Sequence, residues 1–314
     1  MDMIKRLKFV MHKIKHFFKK IMLALVVLFL EKNGSKKLNN EVGVSCLLCS
    51  RDVNMFIFSL KSLFYFSRKE LPVYIINDGS LTKRDINKIT RYFNAEIVSR
   101  EKSDKKMDKV VKGFHYFKNI RFNTESAIYK YKFDLIFTSK FGRTILIDPD
   151  IIFKREPTEI VKWIENRSKD IFYTLHDDTL FKSGYFPEYS FRTLLFKYLK
   201  TKMSGGFSSG LILIPKTDKS ILRKIDNISR TISEVYWSKS DNIDEVLLSA
   251  LFSQLKNARQ LPKEKYYIMA FEEQYSKTKE EMATLIHYGH QTTSKFYNMA
   301  FKLIKSTIFF NNKI

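Results

Sequence analysis

Two aspartates one residue apart, Asp148 and Asp150, follow an apolar stretch in the sequence TILIDPDIIF (residues 144–153). On an extended chain, side chains at positions i and i+2 point the same way, so the two carboxylates can converge on one cation. Oxygen ligands suit Mg²⁺ or Mn²⁺, ions that commonly bridge diphosphate oxygens. The alternative is a turn that carries two solvated acids. The apolar strand TILI favours the metal, because a carboxylate that leaves a buried strand needs a partner.

The elements that must position these acids alternate between apolar strands and helical patterns. Strands are predicted at 42–50, 71–77 and 95–99, with helices between them at 52–67 and 78–93. This β-α-β-α-β order predicts parallel strands with helices on both faces, a doubly wound α/β sheet. Later helices are predicted at 125–140, 157–167 and 241–255, and later strands at 144–153, 170–178, 205–216 and 284–290. Asp52 and Thr82 are expected to cap the helices that follow them, and residues 100–123 receive no assignment.

Polar side chains gather where the predicted strands end. These groups are Ser50, Arg51 and Asp52; Asn77 and Asp78; Asp148 and Asp150; His176, Asp177 and Asp178; and His287 and His290. Ligands of open α/β sheets bind at the carboxyl ends of the strands. One acid at a strand end is ordinary turn chemistry, but repetition at several strand ends predicts an active site along this edge.

The first 40 residues form a separate, basic segment. One helical face is apolar (Ile4, Leu7, Met11, Ile14, Phe18 and Ile21), and the other carries Lys5, Arg6, Lys8, Lys13, Lys15, Lys19 and Lys20. The apolar run 21–30 is shorter than the roughly 20 residues that span a bilayer. This pattern predicts an interfacial helix on an anionic membrane surface, the alternative being a helix that packs on the domain or on a partner. We therefore expect an N-terminal helical segment with its linker over 1–40 and one domain over 41–314.

The net charge of +23 predicts an anionic partner: nucleic acid, acidic lipid or a phosphorylated substrate. No nucleic-acid-binding motif is recognisable, and acids at strand ends repel phosphate unless a metal lies between them. We expect no nucleic-acid partner, although a basic nucleic-acid-binding protein is the alternative of a different class. The two cysteines, Cys46 and Cys49, lie in an apolar strand and cannot complete a zinc site. They are expected to be structural thiols in a reducing compartment.

Several motifs of this sequence resemble those of a known enzyme family. TILIDPDIIFKREP resembles the Asp-x-Asp strand of GT-A glycosyltransferases, and the order of the other motifs is similar to the retaining enzymes of glycosyltransferase family 8. CSRDVNMFIFSLKSL looks like that family's first loop and helix, and YIINDGSLT like its second strand. GFSSGLILIPK and IDEVLLSAL resemble later family segments, with Ser208 and Glu245 in place of the usual Asn and Gln, and IHYGHQTTSKFY resembles the closing motif. NDGS is also similar to inverting GT-A enzymes of family 2, so the stereochemistry stays open.

The resemblance, which covers roughly residues 42–297, implies a role for each matching residue. Asp148, Asp150 and His287 would hold Mn²⁺ or Mg²⁺, with His290 as a rival ligand. The donor would meet Ser50, Arg51 and Asp52 at its base and ribose, Asp78 at its ribose, Lys130 or Lys132 at its diphosphate or sugar, Gly210 at its sugar, and Lys295 at its departing diphosphate. Asp177, Asp244 and Glu245 are candidates for contacts to sugar hydroxyls or for the base of an inverting reaction.

The resemblance also implies a fold and an activity. The fold is a GT-A-like doubly wound mixed sheet, and the activity is transfer of a sugar from a nucleotide-diphosphate donor, a UDP-sugar, to a saccharide or lipid-linked acceptor. Combined with the basic helix, this suits surface-polysaccharide or lipopolysaccharide synthesis by a cytoplasmic protein peripheral on the inner face of the membrane. The alternative enzyme is a sugar-nucleotide nucleotidyltransferase, but the Gly-rich loop of that class has no counterpart in CSRDVNMF.

Overall fold

The computed structural model describes residues 3–28, 30–32, 38–123, 128–176, 206–235, 243–269, 271, 275–289 and 292–306. The first half of the chain alternates between helix and strand as the sequence predicts. Its elements are α1 (Met3–Leu28), β1 (Val42–Leu48), α2 (Val53–Ser67), β2 (Val73–Asn77), α3 (Lys83–Tyr92) and β3 (Ala95–Val98). A short 3₁₀ turn, Ser50–Asp52, joins β1 to α2.

The second half is less regular. Its elements are α4 (Arg100–Val110), α5 (His115–Asn123), α6 (Tyr131–Phe137), β4 (Arg143–Ile147), β5 (Ile151–Phe153), α7 (Thr158–Glu165), β6 (Ile171–Leu175), β7 (Phe207–Pro215), α8 (Lys219–Val235), α9 (Ile243–Ser253), β8 (Ala258–Gln260), β9 (Tyr266–Met269), α10 (Lys277–Met282), β10 (Leu285–Tyr288) and α11 (Thr293–Lys305).

The main sheet has the strand order β3-β2-β1-β4-β7-β6-β8, and a second sheet has the order β5-β10-β9. Strands β3, β2, β1 and β4 run parallel, whereas β7 is antiparallel to both β4 and β6. In the second sheet, β10 pairs antiparallel with β5 and parallel with β9. The predicted doubly wound mixed sheet is confirmed.

The central strands bury both of their faces. Along β4, Ile145 and Ile147 join one hydrophobic core and Leu146 joins the other. The same alternation occurs in β7, where Leu213 and Ile212 belong to opposite cores. Because successive strand side chains point to opposite faces, a continuous apolar run requires a layer of helices on each side.

The two predicted helix caps have different outcomes. Thr82 forms a capping box with Asp85: the Thr82 hydroxyl accepts from the Asp85 N–H at 3.2 Å, and the Asp85 carboxylate accepts from the Thr82 N–H at 3.0 Å. Asp52 occupies the capping position of α2 but makes no capping hydrogen bond, so that prediction is wrong. Its carboxylate instead accepts from Cys49 Sγ and Arg51 Nε, each at 3.0 Å. These nearer donors compete with the backbone for the same oxygens.

Two helices, α4 and α5, fill the stretch that the sequence pattern left unassigned. The side chain of Arg121, on α5, is buried and donates to both oxygens of the buried Asp134 on α6, at 2.7 Å each. A second acid, Asp104 on α4, accepts from Arg121 at 2.6 Å. A charged residue therefore takes a core position here, which hides the apolar period on which helix prediction depends. The single helix predicted at 125–140 is shorter, because α6 spans only Tyr131–Phe137 and follows a 3₁₀ turn.

The N-terminal helix α1 packs on the domain by one face and exposes apolar residues on another. Leu23, Val27 and Leu30 belong to the hydrophobic core, and the Tyr92 hydroxyl donates to the Val27 carbonyl at 2.6 Å. The exposed apolar side chains of α1 are Val10, Met11, Ile14, Phe17, Phe18, Ile21, Met22, Leu25 and Leu28, and we call them the apolar stripe. Within the described residues, no helix combines the length and the apolarity that crossing a bilayer requires.

Candidate active site

The two aspartates lie where the chain passes from one sheet to the other. Strand β4 ends at Ile147 in the main sheet, and β5 begins at Ile151 in the second sheet. The backbone N–H of Asp148 donates to the Gly210 carbonyl of β7 at 2.8 Å, and the Tyr288 N–H of β10 donates to the Asp150 carbonyl at 3.0 Å. Both sheets thus fix the Asp-Pro-Asp segment.

A candidate metal site forms around this crossing. His287 on β10 places Nε2 at 3.1 Å from Asp150 Oδ1 and at 3.8 Å from Asp148 Oδ2. One ligand atom from each of the three residues lies within 4.8 Å of the others. The carboxylates are hard oxygen donors, and the imidazole adds a nitrogen that Mg²⁺ seldom takes in proteins.

The electrostatics of this cluster fit a cation. Burial alone would lower the pKa of His287, but the Asp150 and Asp148 carboxylates raise it above its ordinary value. The site therefore stabilises positive charge on the imidazole, whose side chain is only 12% exposed. A divalent ion held by the same carboxylates would supply the positive charge that the cluster stabilises. The mixed oxygen and nitrogen ligands suit Mn²⁺ well and Mg²⁺ less well.

Lys132, on the first turn of α6, brings a buried cation next to the cluster. Its Nζ donates to Asp148 Oδ2 at 3.0 Å and to Ser209 Oγ at 2.8 Å, and it lies 4.0 Å from Asp244 Oδ2. Burial would lower the pKa of Lys132, but Asp148 and Asp244 raise it, so the ammonium stays charged. A side chain that is 5% exposed holds its charge here only because these acids surround it.

Two acids at the start of α9 complete the polar floor. Burial raises the pKa of Asp244 to about 7, against the opposing effect of the Lys132 charge. Asp244 can therefore exchange a proton near neutral pH. The neighbouring Glu245 accepts from the backbone N–H of Ser209 at 3.1 Å, which ties α9 to β7.

These groups share a cleft of about 790 Å³, a volume typical of small-molecule sites. The cleft also contains side chains from the end of β1 and from the turn after β2: Cys49, Arg51, Asp52 and Asp78. Lys13, Phe17 and Lys20 of α1 line it as well. The N-terminal helix thus forms one wall of the cleft.

Comparison with known proteins gives the fold. No family model and no curated protein sequence matches this chain. The mouse xyloside xylosyltransferase 1 structure is similar at a TM-score of 0.53 and 13% identity, over 80% of this chain and 98% of that one. The bifunctional glycosyltransferase WbbM is similar at 0.56 and 13%, over 89% of this chain and 51% of that one, so this chain spans about half of WbbM. The galactosyltransferase LgtC, in complex with donor and acceptor sugar analogues, is similar at 0.51 and 11%, over 83% and 95%.

The chain has the GT-A fold. Its similarity to these glycosyltransferases extends over most of the chain. Identities of 11 to 13% establish the shared architecture, whereas the chemistry must be argued from the residues in the cleft.

In this GT-A fold, the structure brings most of the predicted site residues together. Those that line the cleft are Arg51, Asp52, Asp78, Asp148, Asp150, Asp244, Glu245 and His287. Asp78 also accepts from the Ser80 N–H at 2.8 Å, so its turn chemistry coexists with a place in the cleft. Asp177 and His290 lie outside the described residues.

Four predicted residues lie outside the lining of the cleft. The Ser50 hydroxyl donates to Asp85 at 2.7 Å, and Lys295 places Nζ 4.0 Å above the centre of the Tyr275 ring. Lys130 is the last residue of the 3₁₀ turn before α6, whereas Lys132, two positions later, enters the cleft. Gly210 acts through its backbone, because its carbonyl holds Asp148 and its α-carbon faces His287.

Some cleft residues have no place in the sequence prediction. Ser209 accepts a hydrogen bond from Lys132 and donates its backbone N–H to Glu245. Its only sequence signal is the small-residue stretch GGFSSG, which runs into the start of β7. Phe17 and Lys13 were assigned to the N-terminal segment, and only the docking of α1 shows that they border the cleft.

Gly210 offers a direct test of the His287 position. A methyl group at Gly210 would overlap the His287 imidazole, so Gly210→Ala is expected to displace the ring and to weaken Mn²⁺ binding by about 10- to 100-fold. Calorimetric titration of the purified protein with Mn²⁺ measures this. Because the effect acts through the ring, Gly210→Ala/His287→Ala should bind Mn²⁺ no more weakly than His287→Ala alone. Fully additive losses would contradict this explanation.

Proposed function

We propose that this protein is a metal-dependent glycosyltransferase that uses a nucleotide-sugar donor. The observation that carries the proposal is the convergence of Asp148, Asp150 and His287 beside buried Lys132, in a cleft at the strand ends of a GT-A fold. LgtC, which has a similar fold, was solved with donor and acceptor sugar analogues. A site with this ligand set suits a diphosphate better than a nucleic acid, because its acids reject phosphate unless a cation lies between them.

The roles of the cleft residues follow from their chemistry. Asp148, Asp150 and His287 would hold the ion, and Mn²⁺ suits this mixed oxygen and nitrogen set. When bound, the ion supplies positive charge to the oxygens of the leaving diphosphate. Lys132 donates to Asp148 and presents a second, fixed positive charge at the same end of the cleft. Lys295, on α11, is proposed to add a cation when the donor is bound.

The other end of the cleft suits a nucleoside. Arg51, Asp52 and Asp78 offer a guanidinium and two carboxylates, which can hydrogen-bond to a base and to ribose hydroxyls, and we assign the donor to the UDP-sugars. The role of Ser50 is to hold this segment through its bond to Asp85. Gly210 is proposed to let the backbone approach the donor sugar, and Lys130, on the turn before α6, is proposed to contact the donor when it is bound.

Asp244 and Glu245 are the proposed groups for the transferred sugar and its acceptor. Because the pKa of Asp244 is about 7, this carboxyl can accept or donate a hydrogen bond to a sugar hydroxyl near neutral pH. Glu245 is held by Ser209, so its position depends on β7. Asp177, from the segment after β6, is proposed as a further contact to the acceptor.

The acceptor is proposed to be a saccharide, carried by a lipid at an anionic membrane surface. The support is α1, which forms a wall of the cleft through Lys13, Phe17 and Lys20 and also exposes the apolar stripe. A helix with that stripe and adjoining lysines suits the interface of an anionic bilayer. We therefore propose that the protein acts at the cytoplasmic face of the membrane in surface-polysaccharide or lipopolysaccharide synthesis, with residues 1–40 as the docking segment and 41–314 as the catalytic domain.

Thermal unfolding with UDP, GDP, CDP and ADP, each with and without Mn²⁺, tests the donor proposal. We expect UDP with Mn²⁺ to raise the melting temperature by about 5 to 10 °C, because a ligand at 100 times its Kd adds about 2.7 kcal/mol to the free energy of unfolding. Asp150→Asn should remove the Mn²⁺-dependent shift while the Lys132–Asp148 pair stays intact. Asp170→Asn, whose carboxylate pairs with Arg259 outside the cleft, is the matched control and should respond like the native protein.

Each outcome of that experiment is informative. A shift with a different diphosphate would support the glycosyltransferase proposal but would assign the donor to the sugars of that nucleotide instead of the UDP-sugars. If none of the four nucleotides gives a Mn²⁺-dependent shift in a folded protein, the proposal is overturned. Asp148 and Asp150 would then be ordinary turn residues.

A further inference from the structure

A second cavity, of about 500 Å³, lies beside the C-terminal end of α1 and shares no lining residue with the candidate active site. It is lined by Leu28, Lys32, Arg84, Asn87, Lys88, Arg91 and Tyr92. Four of these side chains are cationic, and no carboxylate lines the cavity among the residues that the structure describes. Such a concentration of positive charge favours an anionic ligand.

Helix α3 supplies most of this charge. Arg84, Lys88 and Arg91 recur at a spacing of four and then three residues, so they share one face of the helix. Half-buried Lys88 donates to the neutral Asn54 Oδ1 at 2.5 Å, and the Asp85 carboxylate offsets only part of the effect of burial and of the Arg84 charge. Burial and the neighbouring Arg84 charge lower the pKa of Lys88, as expected where cations crowd together.

The nearest acid on α3 is already engaged. Asp85 accepts from the N–H and the hydroxyl of Thr82 and from the Ser50 hydroxyl, at 2.7 to 3.0 Å. The hydrogen bond from Tyr92 to the Val27 carbonyl fixes α1 against α3, so the two helices hold the walls of the cavity in place. The cavity is therefore a fixed feature of the fold.

The cavity adjoins an apolar surface. Leu28 lines it while its side chain is 54% exposed, and Leu28 is the last residue of the apolar stripe on α1. A cationic pocket thus opens directly beside a helix face whose apolar side chains are exposed among the residues that the structure describes. That combination matches an amphiphile, whose charged headgroup and apolar chains lie next to each other.

We propose that this cavity binds the phosphate of an anionic phospholipid headgroup while the apolar stripe lies among the acyl chains of the same leaflet. A free phosphate would leave the stripe in water, and a nucleic acid would place its charged backbone against exposed leucine and phenylalanine side chains. A lipid satisfies both surfaces at once. The site is separate from the cleft and does not depend on the transferase activity.

The position of the proposed lipid site determines how close the cleft lies to the bilayer surface. Phe17, which lines the cleft, and Leu28, which lines the cavity, lie on the same helix at a separation of about 16 Å along the axis. A headgroup held at Arg84 and Arg91 would therefore place the Phe17 side of the cleft close to the bilayer surface.

Vesicle co-sedimentation of the full chain tests the proposal. Vesicles of phosphatidylcholine alone would be compared with vesicles that contain 30% phosphatidylglycerol, and the test variant is Arg84→Gln/Arg91→Gln. The matched control is Arg223→Gln/Arg230→Gln on α8, which removes the same charge from exposed arginines with the same seven-residue spacing and touches neither cavity. All four side chains are exposed, so both variants should fold.

We expect the native chain to prefer the anionic vesicles, and Arg84→Gln/Arg91→Gln to bind them about 10- to 30-fold more weakly, since each basic residue at such a surface contributes about fivefold or somewhat less. The α8 control should bind within about twofold of the native chain. Equal loss in both variants would show that net charge alone matters and would overturn the site, as would no loss in either. A thermal shift by inorganic phosphate or by a single-stranded oligonucleotide that is lost only in Arg84→Gln/Arg91→Gln, while vesicle binding is the same in that variant and in the native chain, would overturn the lipid assignment.

Discussion

Lys132→Met is expected to destabilise the protein by about 3 to 5 kcal/mol, the range for removing one partner of a buried ion pair. Methionine is close to lysine in length and in volume, so the main effect is electrostatic. Without the ammonium, Asp148 and Asp244 face each other without their shared cation. Denaturant unfolding of the metal-free protein measures the loss, and a melting temperature lower by about 10 °C should accompany it.

Asp244 supplies the diagnostic control for this effect. If the loss comes from an unpaired buried carboxylate, Lys132→Met/Asp244→Asn should recover part of it, because the amide carries no charge. Lys140→Met is the matched substitution at a surface pair, where Lys140 lies 2.8 Å from Glu96 and both side chains are at least 40% exposed. It should cost less than about 1 kcal/mol.

The cost of Lys132→Met should also depend on pH in a predictable direction. The folded-state pKa of Asp244 is raised to about 7, above its usual value of 3.8. Such a carboxyl contributes stability that is fully present below pH 3.8 and is lost as the pH rises through the folded-state pKa. Removing Lys132 raises that pKa further, so the part of the penalty that comes from Asp244 should be small near pH 5, and the whole penalty should be largest above pH 7. A penalty independent of pH, with no recovery from Asp244→Asn, would show that the loss is one of packing.

The candidate metal site could be predicted from sequence because its signal is local. Asp148 and Asp150 follow a strand whose apolar character is unbroken, and the spacing of the two acids is visible in the chain itself. The strand crossing that fixes them could not be predicted in this way. Ile151–Phe153 looks like a continuation of β4, and only its pairing with β10 shows that it belongs to a second sheet.

Residues that act through distant partners were harder to predict. Lys130 and Lys132 differ by two positions in a short helical stretch, and the start of α6 decides which of them enters the cleft. Helix α5 escaped prediction because Arg121 occupies a core position that Asp134 satisfies from another helix. Helix α4 buries only Ser103 and Met107, so its sequence shows almost no apolar period. For Lys132 and Arg121 the deciding contact lies many residues away in the chain, where composition and periodicity carry no signal.

The N-terminal segment shows a different limit. Its amphipathic pattern predicted the helix α1, but the apolar residues of this helix lie in three different environments. Leu23 and Val27 pack into the core, Phe17 borders the cleft, and Leu28 borders the basic cavity. A single hydrophobic face read from the sequence does not distinguish residues that pack on protein from residues that remain exposed.

Asp150→Asn is expected to lower kcat/KM for sugar transfer by about 1,000-fold at a fixed, low Mn²⁺ concentration. The proposed ion supplies several kcal/mol of charge stabilisation at the leaving diphosphate, and each 1.36 kcal/mol corresponds to about tenfold in rate. Transfer is measured as release of the nucleoside diphosphate, with the Asp170→Asn protein as the control of equal charge change. Excess Mn²⁺ should restore part of the activity of Asp150→Asn, because Asp148 and His287 remain as ligands.

The choice of Asp150 rather than Asp148 makes this test specific. Asp148 also neutralises Lys132, so its replacement would disturb a buried ion pair and confuse a loss of metal with a loss of stability. The Asp150 carboxylate instead faces His287 at 3.1 Å, and its amide replacement removes one of two neighbouring negative charges. Asp150→Asn should therefore destabilise the metal-free protein less than Lys132→Met does, because the Lys132–Asp148 pair stays intact. Equal activity of the two proteins at low Mn²⁺, or native activity that survives chelation of the metal, would mean that Asp150 holds no catalytic ion and that the cleft stabilises its leaving group through Lys132 alone.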